Sequence, residues 1–128
     1  MNLDEIIQRD NHIRKMYKDH ILFDNIRSER DLKIYLISNS SELLPDYTYV
    51  VDDEWFVIDG KSQYGKGDLL FTDGTGHFAV VEIKYLTPYS GATARKKRNK
   101  GKNKVEEQVY KYVYEYRNKH PEIVTIEG

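Results

Sequence analysis

The chain has 128 residues, of which 39% are apolar and 32% charged, with a net charge of -1 and no cysteine. That length suits a single domain around one core and excludes a multidomain machine, while the missing cysteines exclude disulfides, thiol nucleophiles and Cys-bound zinc. No stretch resembles a signal peptide or approaches the roughly 18 apolar residues of a membrane span, so a soluble intracellular protein is expected.

In chain order, Leu3, Ile6, Ile7, Ile13, Met16 and Tyr17 recur at helical spacing over Leu3 to His20, with a polar interruption around Asp10. This predicts a weakly amphipathic, peripheral N-terminal helix within residues 1–27. A second helix starts at Ser28, where Ser28 and Asp31 form a capping pair with acids in the first turn. Its inward stripe is Leu32, Tyr35, Leu36, Leu43 and Leu44, and Pro45 ends it. Tyr47 to Val51 and Trp55 to Ile58 read as strand material around an acidic turn, Asp52 to Glu54, with Trp55 in the core, and a polar loop follows from Gly60 to Gly67. Asp68 to Thr72 is a strand, Asp73-Gly74-Thr75-Gly76 a hairpin loop, and Phe78 to Leu86 an apolar strand covered on both faces. Pro88 to Lys104 has the composition of a mobile basic arm. Helical spacing then returns at Val105, Val109, Tyr112, Val113 and Tyr116, until His120-Pro121 stops it and Ile123 to Ile126 supplies a last strand. The N-terminal helix aside, the order is αβββαβ over residues 28–127, an α/β fold.

The near-neutral total conceals two opposed regions. From Glu42 to Glu82 nine acids face two lysines, whereas Tyr89 to Lys104 carries Arg95, Lys96, Lys97, Arg98, Lys100, Lys102 and Lys104 and no acid. An acidic site beside a basic arm suits a metal ion and a polyanion together, and phosphate contact by the seven cations is the expectation. Nuclear targeting by the same run is a further reading for a source with a nucleus. Tyr110, Tyr112, Tyr114 and Tyr116 crowd one helix and are expected to pack both of its faces rather than stack on bases. The four histidines show no ligand spacing and read as surface or turn residues.

Asp68, Glu82 and Lys84 occupy strand positions where apolar side chains normally pack, and burying them unpaired is costly. Residues two apart on a strand share a face, so Glu82 and Lys84 point one way and Val81, Ile83 and Tyr85 the other. If Gly74-Thr75-Gly76 is a three-residue loop, Asp73 pairs with His77 and Asp68 lies opposite Glu82; a two-residue loop separates the acids onto opposite faces. Carboxylates roughly 4 Å apart repel by about 4 kcal/mol at an effective dielectric near 20, so the pair should share a proton or hold a cation. Oxygen ligands without Cys or His partners point to Mg²⁺ or Mn²⁺. With Lys84 placed to orient a water or neutralise developing charge, the implied reaction is phosphodiester hydrolysis.

The hairpin triad, the αβββαβ order and Gln108-Val109-Tyr110-Lys111-Tyr112 together resemble the PD-(D/E)xK nuclease superfamily. Gly67-Asp68 replaces its Pro-Asp pair, Glu82-Ile83-Lys84 is the second motif, and Gln108 and Tyr112 match the Gln-x-x-x-Tyr motif of RecB-like members. Ser28-Glu29-Arg30-Asp31-Leu32 with Leu36, Gly67 to Leu70, Asp73, Gly76 and Val80 to Lys84 are similar to the catalytic domain of the NucS group of DNA endonucleases. The resemblance covers Ser28 to Tyr116. It implies a single restriction-endonuclease-like domain with a mixed central sheet flanked by helices. It also implies a metal held by Asp68, Glu82 and the Ile83 carbonyl, a catalytic Lys84, and Glu29 as an upstream helical acid with Glu42 as its competitor. Gln108 and Tyr112 join the site, DNA is the implied partner, and a homodimer follows by family analogy. The basic insertion after Leu86 and the lack of a counterpart to the N-terminal DNA-binding domain of NucS leave substrate choice open, RNA included. The rival reading is a nucleic-acid-binding or assembly module with the same fold and little activity.

Overall fold

The computed structural model of the protein describes residues 1–18, 28–56, 66–84 and 92–128. Its elements are α1 (Leu3–Tyr17), α2 (Glu29–Ser38), α3 (Ser40–Leu43), β1 (Tyr49–Phe56), β2 (Lys66–Thr72), β3 (His77–Val81), α4 (Ala92–Lys119) and β4 (Thr125–Glu127). The strands form one mixed sheet in the order β1-β2-β3-β4, antiparallel through the first three and parallel between β3 and β4. The parallel step demands a crossover, and α4 supplies it. After α1 the order is two helices, three strands, helix, strand, which is the expected order with the short α3 added.

Strand alternation divides the core into two layers. On one face Val51, Leu70, Phe78 and Val80 pack with Tyr112 and Tyr116 of α4, Ile6 of α1 and Ile123. On the other, Val50, Leu69, Phe71 and Ala79 pack with Ile13 of α1 and Ile37 of α2. Adjacent Val50 and Val51 reach opposite layers, and the register of β1 on β2 shifts by one residue between Val50 and Asp52, a β-bulge. Among the described residues, no helix is long and apolar enough to cross a membrane.

Six expectations are corrected. The first helix is neither interrupted at Asp10 nor peripheral: α1 runs unbroken and buries Ile6, Asp10 and Ile13. Asp10 Oδ1 accepts the Val50 N–H at 2.9 Å and the Arg14 Nε–H at 2.9 Å. Arg14 in turn donates to the Ile37 carbonyl at 2.8 Å and to Ser40 Oγ at 2.9 Å. A polar residue that reads as a break is thus the pin joining the helix to the edge strand.

The helix capped by Ser28, whose Oγ accepts the Asp31 N–H at 3.1 Å, stops at Ser38 rather than Pro45. The Asn39 N–H makes the last helical bond, to the Tyr35 carbonyl at 3.0 Å, while the Asn39 side chain donates to the same carbonyl at 2.9 Å and the residue leaves helical geometry as the C-cap, after which the short α3 follows. Asp52 to Glu54 is not a turn but part of the continuous strand β1, paired to β2 on both sides of the bulge, with Glu54 at φ 52°.

β3 ends at Val81 instead of continuing to Leu86, for a reason that belongs to the site below. Residues 92–104 are not a mobile arm: they form the first half of α4. Ala, Lys and Arg are good helix formers, and a helix anchored by Tyr112 and Tyr116 extends at one hydrogen bond per added residue. In that helix Tyr110 and Tyr114 are 72% and 65% exposed, so the four tyrosines do not pack both faces; the pair one turn apart at Tyr112 and Tyr116 packs alone. The expected loop at 60–65, strand ends at 57–58 and 85–86, the start of the arm at 88–91, His20 and the Trp55 side chain lie outside the described residues.

Candidate active site

The hairpin between β2 and β3 sets the site. Gly74 and Gly76 adopt φ of +88° and +96°, conformations that disfavour other residues, and Asp73 Oδ1 accepts the Thr75 N–H at 2.7 Å. The Asp73 N–H reaches the His77 carbonyl at 3.2 Å, closing a three-residue loop. Leu69 then pairs with Val81 and Thr72 with Phe78, a register whose next step sets Asp68 opposite Glu82. Both acids fall on the face that meets α4, as the three-residue alternative requires.

At that step side chains replace the backbone ladder. The Asp68 N–H donates to Glu82 Oε1 at 3.0 Å, and the Ile83 N–H donates to Asp68 Oδ2 at 2.8 Å. Each carboxylate satisfies the opposite strand's amide, and β3 ends here.

Burial pushes the Glu82 carboxyl up to about 8, outweighing the relief from the Asp68 amide; the charge of Asp68, a hydrogen bond between the two side chains and the charge of Glu29 add to the rise. A carboxyl pair held this way keeps a proton between its members near neutral pH unless a cation takes its place. Tyr112, 4% exposed, is raised by burial and by the charges of Glu82 and Asp68, so it stays a neutral phenol.

A cavity of about 260 Å³ opens over the pair, lined by Glu29, Asp68, Glu82, Ile83, Lys84, Gly101, Lys104, Val105, Gln108 and Tyr112. Asp68, Glu82, Ile83, Lys84, Gln108, Tyr112 and, of the two upstream acids, Glu29 meet there. Glu29 enters from the first turn of α2 and pairs with Lys84 at 3.3 Å, with 53% and 45% of the two side chains exposed. An ion pair this open contributes about 0 to 1 kcal/mol, so little holds Lys84 to Glu29. Glu42, the competing acid, is exposed on α3 and does not line the cavity. A second cavity of about 290 Å³ adjoins the first, shares Glu29, Asp68 and Ile83 with it, and adds Tyr17, Arg30, Lys33 and Glu54.

Of the seven cations, only Lys104 lines the site. Gly101 and Val105, which sequence reasoning did not single out, are reached by stepping back from Gln108 at helical spacing once the helix is known to extend that far.

Among the described residues no group of three or more His, Asp, Glu or Cys is arranged around a metal position. The donors present suit a hard cation all the same, because Mg²⁺ commonly takes one or two carboxylates and completes its shell with water and substrate phosphate. Asp68, Glu82 and the backbone oxygen of Ile83 are of that chemistry. Comparison of the chain with family models, with curated proteins and with solved structures finds no match.

Proposed function

We propose that this chain is a restriction-endonuclease-like, Mg²⁺- or Mn²⁺-dependent nuclease of the PD-(D/E)xK kind that hydrolyses DNA phosphodiester bonds in the cavity over Asp68 and Glu82. The observation that carries the reading is the convergence of two adjoining carboxylate side chains with an exposed lysine, an amide and a phenol in one open cavity. Bound by Asp68, Glu82 and the Ile83 carbonyl, the ion supplies Lewis-acid polarisation of a phosphate oxygen and a lowered pKa for an attacking water. Lys84, released from Glu29, orients that water or neutralises the charge that develops. Gln108 hydrogen-bonds a phosphate oxygen, and the Tyr112 phenol holds the amide and carboxylate in place.

The test is incubation of the purified protein with labelled single-stranded, duplex and branched DNA, and with RNA, in Mg²⁺, Mn²⁺ or EDTA. Metal-dependent products that vanish in Glu82→Ala and Lys84→Ala are expected; cleavage undiminished in both variants overturns the assignment. One observation favours the rival, a binding or assembly module with little activity: the lysine points to Glu29, and among the described residues no three acids are grouped to hold a metal. Metal titration separates the two. A nuclease binds Mg²⁺ or Mn²⁺ and loses it in Asp68→Asn, whereas a pure binder holds DNA equally well without metal.

A further inference from the structure

A flexible arm lets every cation reach the same phosphate, whereas a helix does not. Because residues 92–104 belong to α4, their seven positive charges point in different directions, and helical spacing decides which of them serve the cavity. The cavity is lined from α4 by Gly101, Lys104, Val105, Gln108 and Tyr112, a stripe at steps of three and four residues. Carried towards the N-terminus, the same stripe meets Lys97, one turn before Gly101 and two turns before Lys104, with Arg98 at its flank. Lys97 and Lys104 are both exposed. Arg95 and Lys96, equally exposed, lie on the side turned away from the cavity, and Lys100 and Lys102 lie lateral to it.

We propose that Lys97 and Lys104 form a two-step phosphate track that grips the nucleic-acid backbone flanking the cavity, and that Arg95 and Lys96, on the far side of α4, take no part in this grip. The inference rests on the nuclease reading for the site it leads into, and it names the backbone, not the bases, as what α4 recognises. Seven residues of helix separate the two lysines by about 10 Å, which matches the axial rise of about three nucleotides on one duplex strand. The strand therefore follows α4 into the cavity past Lys104. Between the two lysines the stripe carries Gly101, which has no side chain to obstruct that path.

The experiment measures equilibrium binding of a labelled DNA duplex in metal-free buffer across a salt series, where no cleavage intervenes. Two variants of equal charge change are compared, Lys97→Ala with Lys104→Ala, and Arg95→Ala with Lys96→Ala; both keep helix propensity high. Removing two phosphate contacts should lower the slope of log affinity against log salt by about 1.8 in the first variant and leave it unchanged in the second. Circular dichroism confirms that both fold. Equal losses in the two variants, or no loss in the first, overturn the track. A protein that cleaves with metal yet shows equal losses retains the nuclease reading and loses this inference. One that never cleaves yet loses binding only in the first variant does the reverse.

Discussion

Two clusters in this protein use the same parts, two acids and a lysine, and arrive at opposite states. On the α1 and α2 side, Lys33 is buried at 7% exposure and paired to Asp53, with Glu54 at 3.6 Å; the Tyr17 hydroxyl donates to Asp53 at 2.5 Å. Burial pulls the Lys33 pKa down, but the hydrogen bond and charge of Asp53 outweigh it and leave the pKa raised, so its proton is secure. On the α4 side, Asp68 and Glu82 face each other with no cation between them, because Lys84 has turned to Glu29. The first cluster is closed and neutralised from within. The second is open and keeps its charge conflict, and residual conflict in a cavity is what marks a place for a ligand.

The sharpest way to break the comparison is to remove a partner on each side. Lys33→Ala leaves Asp53 buried without its cation and should destabilise the fold by about 3 to 5 kcal/mol, measured by urea unfolding. Asp68→Asn should instead leave stability unchanged or raised in metal-free buffer while cutting DNA cleavage by about a hundredfold or more, since it removes repulsion and a metal ligand together. A Lys33→Ala protein as stable as the parent, or an Asp68→Asn protein that unfolds, would show that the clusters have been assigned the wrong way round.

The pH dependence sharpens the contrast. The unfolded chain releases the Glu82 proton near the ordinary 4.5, whereas the folded chain keeps it to about 8. Between those values the native state holds more protons, so this group's contribution to stability is complete below the lower value and is lost as the pH rises through the upper one. Melting temperatures in EDTA should therefore fall with pH across this window, and the fall should shrink in Glu82→Gln. Added Mg²⁺ should stabilise the parent more at the alkaline end, because the ion binds the deprotonated pair. A Glu82→Gln profile parallel to the parent's would remove the proton-sharing pair from the description.

The helices that frame the open site supply the remaining comparisons, down to the smallest effects. Ser28→Ala should cost about 1 kcal/mol through loss of the α2 cap that presents Glu29. Tyr110→Ala, at an exposed position of α4, should stay within about 0.5 kcal/mol of the parent, while Tyr116→Ala should lose about 3 kcal/mol or more. Thermal or urea unfolding of the two tyrosine variants checks whether only one face of α4 is core.

How much was legible depended on the range over which each residue finds its partner. The hairpin register followed from counting a three-residue loop, and the αβββαβ order from local periodicity, so Asp68, Glu82 and the helix bearing Gln108 and Tyr112 could be brought together on paper. Glu29 and Glu42 could not be ranked, since the sequence put them at the two ends of one helix and only the packing of α2 against the sheet brings one to Lys84. Asp10 read as an interruption because its partner, the Val50 amide, lies forty residues away on an edge strand. Lys33 and Asp53 gave no signal at all, each being an ordinary charged residue until the fold buries them side by side.

The sequence by itself determined the alternation of the strands, the two registers between which the hairpin loop had to choose, and the concentration of positive charge before Val105. Only the tertiary structure decided that this charge rides on a rigid helix, that α1 belongs to the core, and that one acid–lysine cluster is sealed while the other stays open. The physical reason is that strand parity and loop length act between neighbours in the chain, whereas burial and charge pairing are set by groups that meet only after folding.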